Sequence, residues 1–173
     1  MQKPASIWLF LLPVVLSIAS MVAASDENEP APRFRAKTMA GEAFNNTSIQ
    51  GKVVLLEFWT TWCQYCRQEE RLVEQVNKEF ADQGLIVLSV NVGESKKTVK
   101  KYLEQHPRAC RVVLTEDTNL AAMYQASSYP IYVVIDRQGN IGGEQRGAAG
   151  ERVLRRLLAN VGIGAAEAKD DEN

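Results

Sequence analysis

The feature that most constrains the fold is an apolar strand pattern that passes directly into a helical pattern across residues 52–80. Its first part, "KVVLLEFW", is an almost continuous apolar run, which is typical of a strand covered on both faces. From Cys63 to Phe80 the apolar residues return at helical spacing, and Cys63 and Cys66 stand at the junction. Such a pair of thiols can be a metal clip, a structural staple or a redox couple.

The rest of the chain continues this alternation of strands and helices. The sequence predicts a hairpin around Gly41, a strand at 85–92, a helix from Ser95 that ends before Pro107, a strand at 110–114, a short helix at 119–124, a strand at 131–136, an edge strand at 141–145 and a last helix at 150–161. This order predicts an α/β sandwich with a mixed sheet. A chain of 173 residues is long enough for one such domain, placed at 33–162.

The two ends of the chain differ from this domain. Residues 1–24 have the pattern of a signal peptide: Lys3, an apolar run and small residues that end at Ala24; an uncleaved membrane anchor is the alternative. Either segment places the domain outside the cytosol. Residues 25–32 are predicted to be a flexible lead, and 163–173 a disordered acidic tail. The formal net charge of -1 provides no basic field, so a nucleic-acid partner is not expected.

The remaining ligands argue against a metal site at the two cysteines. Structural zinc takes four ligands, and outside the pair the chain offers only Cys110 and His106. His106 is predicted to be a solvated residue at a helix end, although a copper site that combines it with Cys63 and Cys66 stays open. A staple around two intervening residues would stabilise the fold little. A redox couple without metal or cofactor is the favoured interpretation.

The position of the pair predicts a role for each thiol. Cys63 should lie at a helix N-terminus, where free backbone N–H groups and the helix dipole favour an anion. Its pKa should therefore fall below the free value of about 8.5, which produces a thiolate nucleophile. Cys66, one turn further on, can resolve a mixed disulfide by attacking the sulfur of Cys63.

Two motifs carry a resemblance to a known family. The sequence "FWTTWCQYC" after a buried strand, with "SSYPIYVVIDRQGNI" further along, resembles the exported TlpA/ResA-like branch of thioredoxin-fold thiol-disulfide oxidoreductases. The resemblance implies a thioredoxin-like three-layer sandwich, with a central mixed β-sheet and helices on both faces. It also implies disulfide exchange with cysteine-containing protein substrates and a membrane electron donor. Within this branch we favour a reductase, of the kind that serves cytochrome c maturation.

The resemblance also implies roles for single residues. Pro130 matches a proline that is cis and lies beside the dithiol. Glu57 matches a buried acid that relays protons to the enclosed cysteine; the alternative is a solvated strand residue. Glu69 matches a glutamate that influences the thiol pKa; the alternative is one of several solvated charges.

The groove that holds the substrate is predicted at Trp62, Tyr129 and Pro130. Trp62 matches the tryptophan that packs by the reactive sulfur. Two features depart from the family: Gln64 and Tyr65 replace a pair that commonly contains proline, and Tyr129 stands where small or β-branched residues are usual. Since Gln64 and Tyr65 are expected to tune the reduction potential, the direction of electron flow is the least determined prediction.

Two other functions stay open from the sequence. One is a non-catalytic binding or copper-handling module of the same fold. The other is a peroxiredoxin-like peroxidase, because Thr60 precedes Cys63 by three residues, although Leu56 stands where those enzymes have proline. Trp59 is predicted to support the site from the core. Cys110 is interpreted as a buried bystander thiol, with a regulatory or intermolecular thiol as the alternative.

Overall fold

Residues 29–164, the part of the chain that the computed structural model describes, form one seven-stranded sheet with four α-helices. The strands are β1 (Arg35–Thr38), β2 (Ala43–Asn45), β3 (Val53–Trp59), β4 (Leu85–Asn91), β5 (Arg111–Thr118), β6 (Ile131–Ile135) and β7 (Ile141–Arg146). The helices are α1 (Gln64–Glu79), α2 (Lys96–Gln105), α3 (Leu120–Met123) and α4 (Gly150–Asn160). The elements follow the predicted order, and the hairpin around Gly41 is confirmed as β1 and β2.

The sheet is mixed, with the strand order β2-β1-β5-β4-β3-β6-β7. Strands β5, β4 and β3 are parallel, and β6 is antiparallel to β3. Strands β3 and β4 pair along their whole length, from Val53 opposite Leu85 to Trp59 opposite Asn91. The carboxyl ends of the parallel strands and the start of β6 therefore meet at one edge of the sheet, and the loops at this edge are well placed to build a site.

Side chains of β3 point alternately to the two faces of the sheet, and both faces are covered, so all seven residues of the strand are buried. On one face, β3 packs against α1 and α4 through Val53, Leu55, Val73, Val76, Leu154 and Leu158. Helix α2 covers the same face further along, where Val99 packs with Trp59. On the other face, β3 packs against α3 and the N-terminal segment through Val54, Leu56, Phe58, Leu120, Phe34 and Ile49. The predicted helices on both faces are confirmed, with three on one side and the single turn of α3 on the other.

Both ends of the domain extend beyond the predicted limits of 33 and 162. The carbonyl of Glu29 accepts from the N–H of Ile141 (2.7 Å), and buried Ala31 donates to Gly139 (2.9 Å), so the predicted flexible lead is wrong for 29–31. Apolar contact explains the other end, because Ile163 is buried among α1 and α4. The predicted signal or anchor at 1–24 and most of the acidic tail lie outside the described residues. Within 29–164, no helix is long and apolar enough to cross a membrane.

Candidate active site

The two cysteines form a disulfide at the N-terminus of α1, as the sequence pattern predicts. Cys63 is the N-cap residue of the helix, and its Sγ accepts a hydrogen bond from the backbone N–H of Cys66 (3.1 Å). The Cα atoms are 5.3 Å apart, and the cysteines are 5% and 1% exposed. In the reduced protein this N–H and the helix dipole would favour the thiolate of Cys63. Cys66, one turn inside the helix, is the more enclosed of the two.

Exposed aromatic side chains border the dithiol. Trp62, next to Cys63, is 67% exposed, and its ring meets that of Tyr129 edge to face with centroids 6.0 Å apart. Tyr129 also packs against the cluster that contains both cysteines. The Tyr129–Pro130 peptide bond is cis, as the resemblance implies, and Pro130 leads into β6 at the sheet edge where β3 ends. The structure thus brings the three predicted groove residues to the dithiol.

The residues between the cysteines face outward. Gln64 and Tyr65 occupy the first turn of α1, and Tyr65 is 60% exposed. An exposed aromatic ring beside Trp62 enlarges the apolar surface around the dithiol. Both side chains between the cysteines are therefore accessible from the solvent.

Trp59 supports the dithiol from inside the protein. It is fully buried at the end of β3 and packs with Cys63, Cys66 and Val99 in one apolar cluster. The predicted role of Trp59 in the core is confirmed. A charged group that contacts Trp59 is therefore next to the apolar cluster that contains both cysteines.

Glu57 is fully buried two residues before Trp59, on the same face of β3. Its Oε2 accepts hydrogen bonds from Ser89 Oγ (2.7 Å) and Arg108 Nη1 (2.6 Å), while Oε1 has no partner among the described residues. The alternative that Glu57 is a solvated strand residue is wrong. Its role in proton transfer remains a prediction. Arg108 is a residue that the sequence analysis missed.

Glu69 connects α1 to the start of α4. Its carboxylate accepts from the backbone N–H groups of Ala149 (3.0 Å) and Gly150, and from the hydroxyl of Tyr132 (2.9 Å). It satisfies two N–H groups at the N-terminus of α4. The alternative of a solvated charge is wrong, because Glu69 is buried. Its influence on the thiols stays a prediction.

A second missed residue, Glu94, holds the loop that leads into Cys63. Its Oε2 accepts from the backbone N–H of Thr61 (2.7 Å) and from Asn91 Nδ2 (2.7 Å), and its Oε1 accepts from the Thr61 hydroxyl (2.6 Å). One carboxylate thereby ties the loop after β3 to the end of β4. The sequence signal for this contact is weak, since a glutamate before a helix is ordinarily solvated.

Comparison with known families agrees with this geometry. Residues 28–143, more than half of the chain, match the model of the AhpC/TSA family. The chain belongs to the AhpC/TSA family.

Two relatives of this AhpC/TSA-family protein come from Bacillus subtilis (strain 168). The chain is 36% identical over 118 residues to the thioredoxin-like protein YneN. This alignment covers 66% of this chain and 68% of YneN. It is 32% identical over 115 residues to the thiol-disulfide oxidoreductase ResA. That alignment covers 66% of this chain and 64% of ResA. The matched part thus spans about two thirds of each relative.

A solved structure supports the same assignment. The thiol:disulfide interchange protein of the thioredoxin family from Chlorobium tepidum TLS matches with a TM-score of 0.69 and 27% identity, covering 80% of this chain and 99% of that chain. The predicted thioredoxin-like fold and the resemblance to ResA-like oxidoreductases are therefore confirmed.

The copper-site alternative finds no support in this AhpC/TSA-family protein. Among residues 29–164, no group of three or more His, Cys, Asp or Glu side chains could hold a metal ion. His106 instead stacks on Tyr102 (centroids 4.3 Å apart), and its Nδ1 lies 3.8 Å from Glu70 Oε2. It is half-exposed at the end of α2, as predicted.

Cys110 lies away from the dithiol cluster and packs with side chains of α1 and β3. It is buried, which confirms the predicted burial, while its lack of a role stays a prediction. Burial raises the pKa of its thiol, and the nearby carboxylates of Glu57 and Glu74 raise it further. A thiol in this environment is a poor nucleophile.

Proposed function

We propose that this protein reduces disulfide bonds in protein substrates outside the cytosol. The chain is a thiol-disulfide oxidoreductase of thioredoxin fold, as its ResA relatives are named. The observation that carries the proposal is the position of the Cys63–Cys66 couple: the sulfur of Cys63 caps α1 and accepts the N–H of Cys66. A thiolate held there is a nucleophile close to neutral pH.

The reaction begins with the reduced enzyme. The Cys63 thiolate attacks one sulfur of the substrate disulfide, the substrate S–S bond breaks, and the leaving thiolate takes up a proton. Cys66 then loses its proton, and its thiolate attacks Cys63 Sγ. The Cys63–Cys66 bond forms, and the second substrate thiolate leaves and is protonated. Two electrons pass from the dithiol to the substrate.

Glu57 is the proposed acceptor of the Cys66 proton. It is buried two residues before Trp59 on β3, and Ser89 and Arg108 donate to its Oε2, while its Oε1 has no partner among residues 29–164. A general base must have an unoccupied oxygen within reach of the proton, directly or through one water. Glu69, which binds the start of α4, is proposed to tune the thiols by positioning α1 against that helix.

The substrate segment is proposed to lie on Trp62, Tyr129 and Pro130. The exposed ring of Trp62 and the half-buried ring of Tyr129 favour an extended peptide with apolar side chains beside its cysteine. Gln64 and Tyr65 would contact the same segment and adjust the reduction potential. Tyr65 is well placed for this, because its ring points to solvent in the first turn of α1.

The compartment and the electron source complete the proposal. The pattern at 1–24 supports export, either as a cleaved signal or as a membrane anchor. A dithiol outside the cytosol must be reduced again by a donor that spans the membrane, and a client in cytochrome c maturation fits the ResA resemblance. Fractionation of cells that express the full chain with a C-terminal tag tests this, and recovery of the protein in the cytosol alone would refute export.

Insulin reduction with dithiothreitol tests the activity. We expect the wild type to precipitate insulin well above background and Cys63→Ser and Cys66→Ser to be inactive. Absence of wild-type turnover would refute the enzyme and support a binding module. Peroxide consumption without insulin reduction would support the peroxidase alternative.

The reduction potential of the couple tests the direction of electron flow. For a reductase we expect a reduction potential well below the value of about -120 mV that is typical of a dedicated oxidant. A value near that figure would reverse the assignment. Cys66→Ser should also trap clients as mixed disulfides, which mass spectrometry can identify, whereas the Cys63→Ser control should trap none.

A further inference from the structure

Arg108 reaches the buried Glu57 from the segment between α2 and β5. The two residues are 51 positions apart, yet Arg108 Nη1 lies 2.6 Å from Glu57 Oε2 and 2.6 Å from Ser89 Oγ. Ser89 pairs with Glu57 across β3 and β4 and donates to the same Oε2 (2.7 Å). Two donors, one from β4 and one from the segment before β5, thus meet at one carboxylate oxygen of β3.

The ion pair is buried directly behind the dithiol cluster. The side chains of Arg108 and Glu57 are 1% and 0% exposed. The guanidinium lies over the ring of Trp59, with Cζ 4.2 Å from the centroid, and Trp59 belongs to the same apolar cluster as both cysteines. A charge at this depth is tolerated only when an opposite charge compensates it.

We propose that Arg108 is a positioning residue for the thiol chemistry, which keeps Glu57 ionised and leaves Oε1 as the oxygen that accepts the Cys66 proton. This inference rests on the proposed function. Both hydrogen-bond donors lie on Oε2, and Oε1 has no partner among the described residues. Without the guanidinium, Glu57 would be an uncompensated buried charge, and such a group takes up a proton instead. A protonated Glu57 cannot act as a base.

The step is a proton transfer within the resolution reaction. The S–H bond of Cys66 breaks and an O–H bond forms at Glu57 Oε1, while the thiolate attacks Cys63 Sγ and releases the substrate thiolate. The proton then leaves to solvent or to the released thiolate, and Glu57 returns to the carboxylate. Arg108 keeps its charge throughout, because a guanidinium does not lose its proton in proteins. Burial opposes this charge, but the Glu57 carboxylate outweighs burial and raises the pKa of Arg108 in the resting state.

Other titratable groups surround the Arg108–Glu57 ion pair and must be considered when the pH dependence is interpreted. They are Glu69, Glu70 and Glu74 from α1, Tyr102 from α2, Cys110 before β5 and Tyr132 from β6. Burial raises the pKa of Tyr102, Cys110 and Tyr132, so these three stay neutral between pH 5 and about 9. His106 Nδ1 lies 3.8 Å from Glu70 Oε2, so His106→Gln serves as a control for a neighbouring polar group.

The test separates attack from resolution with 5,5'-dithiobis(2-nitrobenzoate) and the reduced full-length protein in a stopped-flow instrument. Attack by Cys63 releases the first thiolate, and resolution by Cys66 releases the second. We expect Arg108→Met to keep the first phase and to slow the second by about 100-fold at pH 7, the low end of general-base effects. The second phase of this variant should recover as pH rises, while Arg108→Lys and the surface control Arg155→Met should keep the wild-type pH profile.

The double variant connects the effect to Glu57. If Arg108 acts through Glu57, Glu57→Gln and the variant that combines it with Arg108→Met should have equal second phases. An unchanged second phase in folded Arg108→Met, or further slowing in the double variant, would overturn the inference. If Arg108→Met does not fold, the comparison of Glu57→Gln with the double variant decides. Loss of insulin reduction in the wild type would instead refute the proposed function.

Discussion

Replacing Glu94 with alanine should loosen the loop that carries the reactive cysteine. The carboxylate accepts the N–H and the hydroxyl of Thr61 and the amide of Asn91, all at 2.6 to 2.7 Å. Thr61 is two residues before Cys63. The Cys63 N–H donates to Thr60 O (3.3 Å) and the Cys63 carbonyl accepts from Arg67 N–H (3.2 Å), but neither bond joins the loop to β4. Glu94 is therefore the main tie between this loop and the end of β4.

The size of the effect follows from the bonds that are lost. Hydrogen bonds to a charged group contribute about 1.5–3 kcal/mol each when they are buried. Glu94 is only half-buried, and water can replace part of each bond, so we expect the free energy of unfolding to fall by about 2 kcal/mol in total. Catalysis should fall by about tenfold, because reacting groups displaced by a fraction of an ångström lose much of their rate.

The matched variant Glu94→Gln separates geometry from charge. Its carbonyl oxygen can accept from both Thr61 N–H and Asn91 Nδ2, while its amide donates to the Thr61 hydroxyl. The network is then kept without the charge, and we expect a cost of about 1 kcal/mol or less. Glu104→Ala on the exposed side of α2 controls for the loss of a surface glutamate.

Urea unfolding and insulin reduction measure the two effects. The expected order of stability is wild type, Glu94→Gln, then Glu94→Ala, with Glu104→Ala equal to wild type. If Glu94→Ala matched Glu104→Ala in both assays, Glu94 would not position the loop. If Glu94→Gln were as damaged as Glu94→Ala, the charge of Glu94 rather than the hydrogen-bond geometry would be responsible.

Three further predictions concern other parts of the site. Burial raises the pKa of Cys110, so its contribution to stability is complete below the unfolded pKa of about 8.5 and declines as pH rises above it. Urea unfolding between pH 7 and 10 should therefore show a loss of stability that is smaller in Cys110→Ala, and equal losses would contradict the buried thiol. Glu69→Ala leaves two N–H groups at the start of α4 and the Tyr132 hydroxyl without their acceptor, and should lower the free energy of unfolding by about 3 kcal/mol. The stability of Glu69→Gln should lie between those of the wild type and Glu69→Ala. If Glu69→Ala were as stable as the surface variant Glu79→Ala, this role of Glu69 would be excluded. Trp62→Ala should raise KM for insulin but leave the reaction with 5,5'-dithiobis(2-nitrobenzoate) nearly unchanged, whereas equal losses for both substrates would argue against a groove at Trp62.

Much of the fold follows from patterns between neighbours in the chain. The apolar run of β3, the helical spacing after Cys63 and the cap at Ser95 are local, and each occurs in the structure as predicted. The limits of the domain were less predictable, because Ala31 stands between two prolines and Ile163 between two glycines, where no periodic pattern marks a buried position. The burial of Ala31 depends on the β6–β7 turn, and that of Ile163 depends on α1 as well as on neighbouring α4.

The chemistry of the dithiol was determined by the sequence alone, since two cysteines at a strand-to-helix junction place a sulfur at a helix N-terminus in any α/β fold. The charges around it were decided only by the tertiary structure. Arg108, Glu94 and Glu69 each look like solvated residues in the sequence, and each finds its partner 33 to 81 residues away. The physical reason is that periodicity reports which face of an element is apolar, whereas the partner of a charged side chain depends on how separate elements pack.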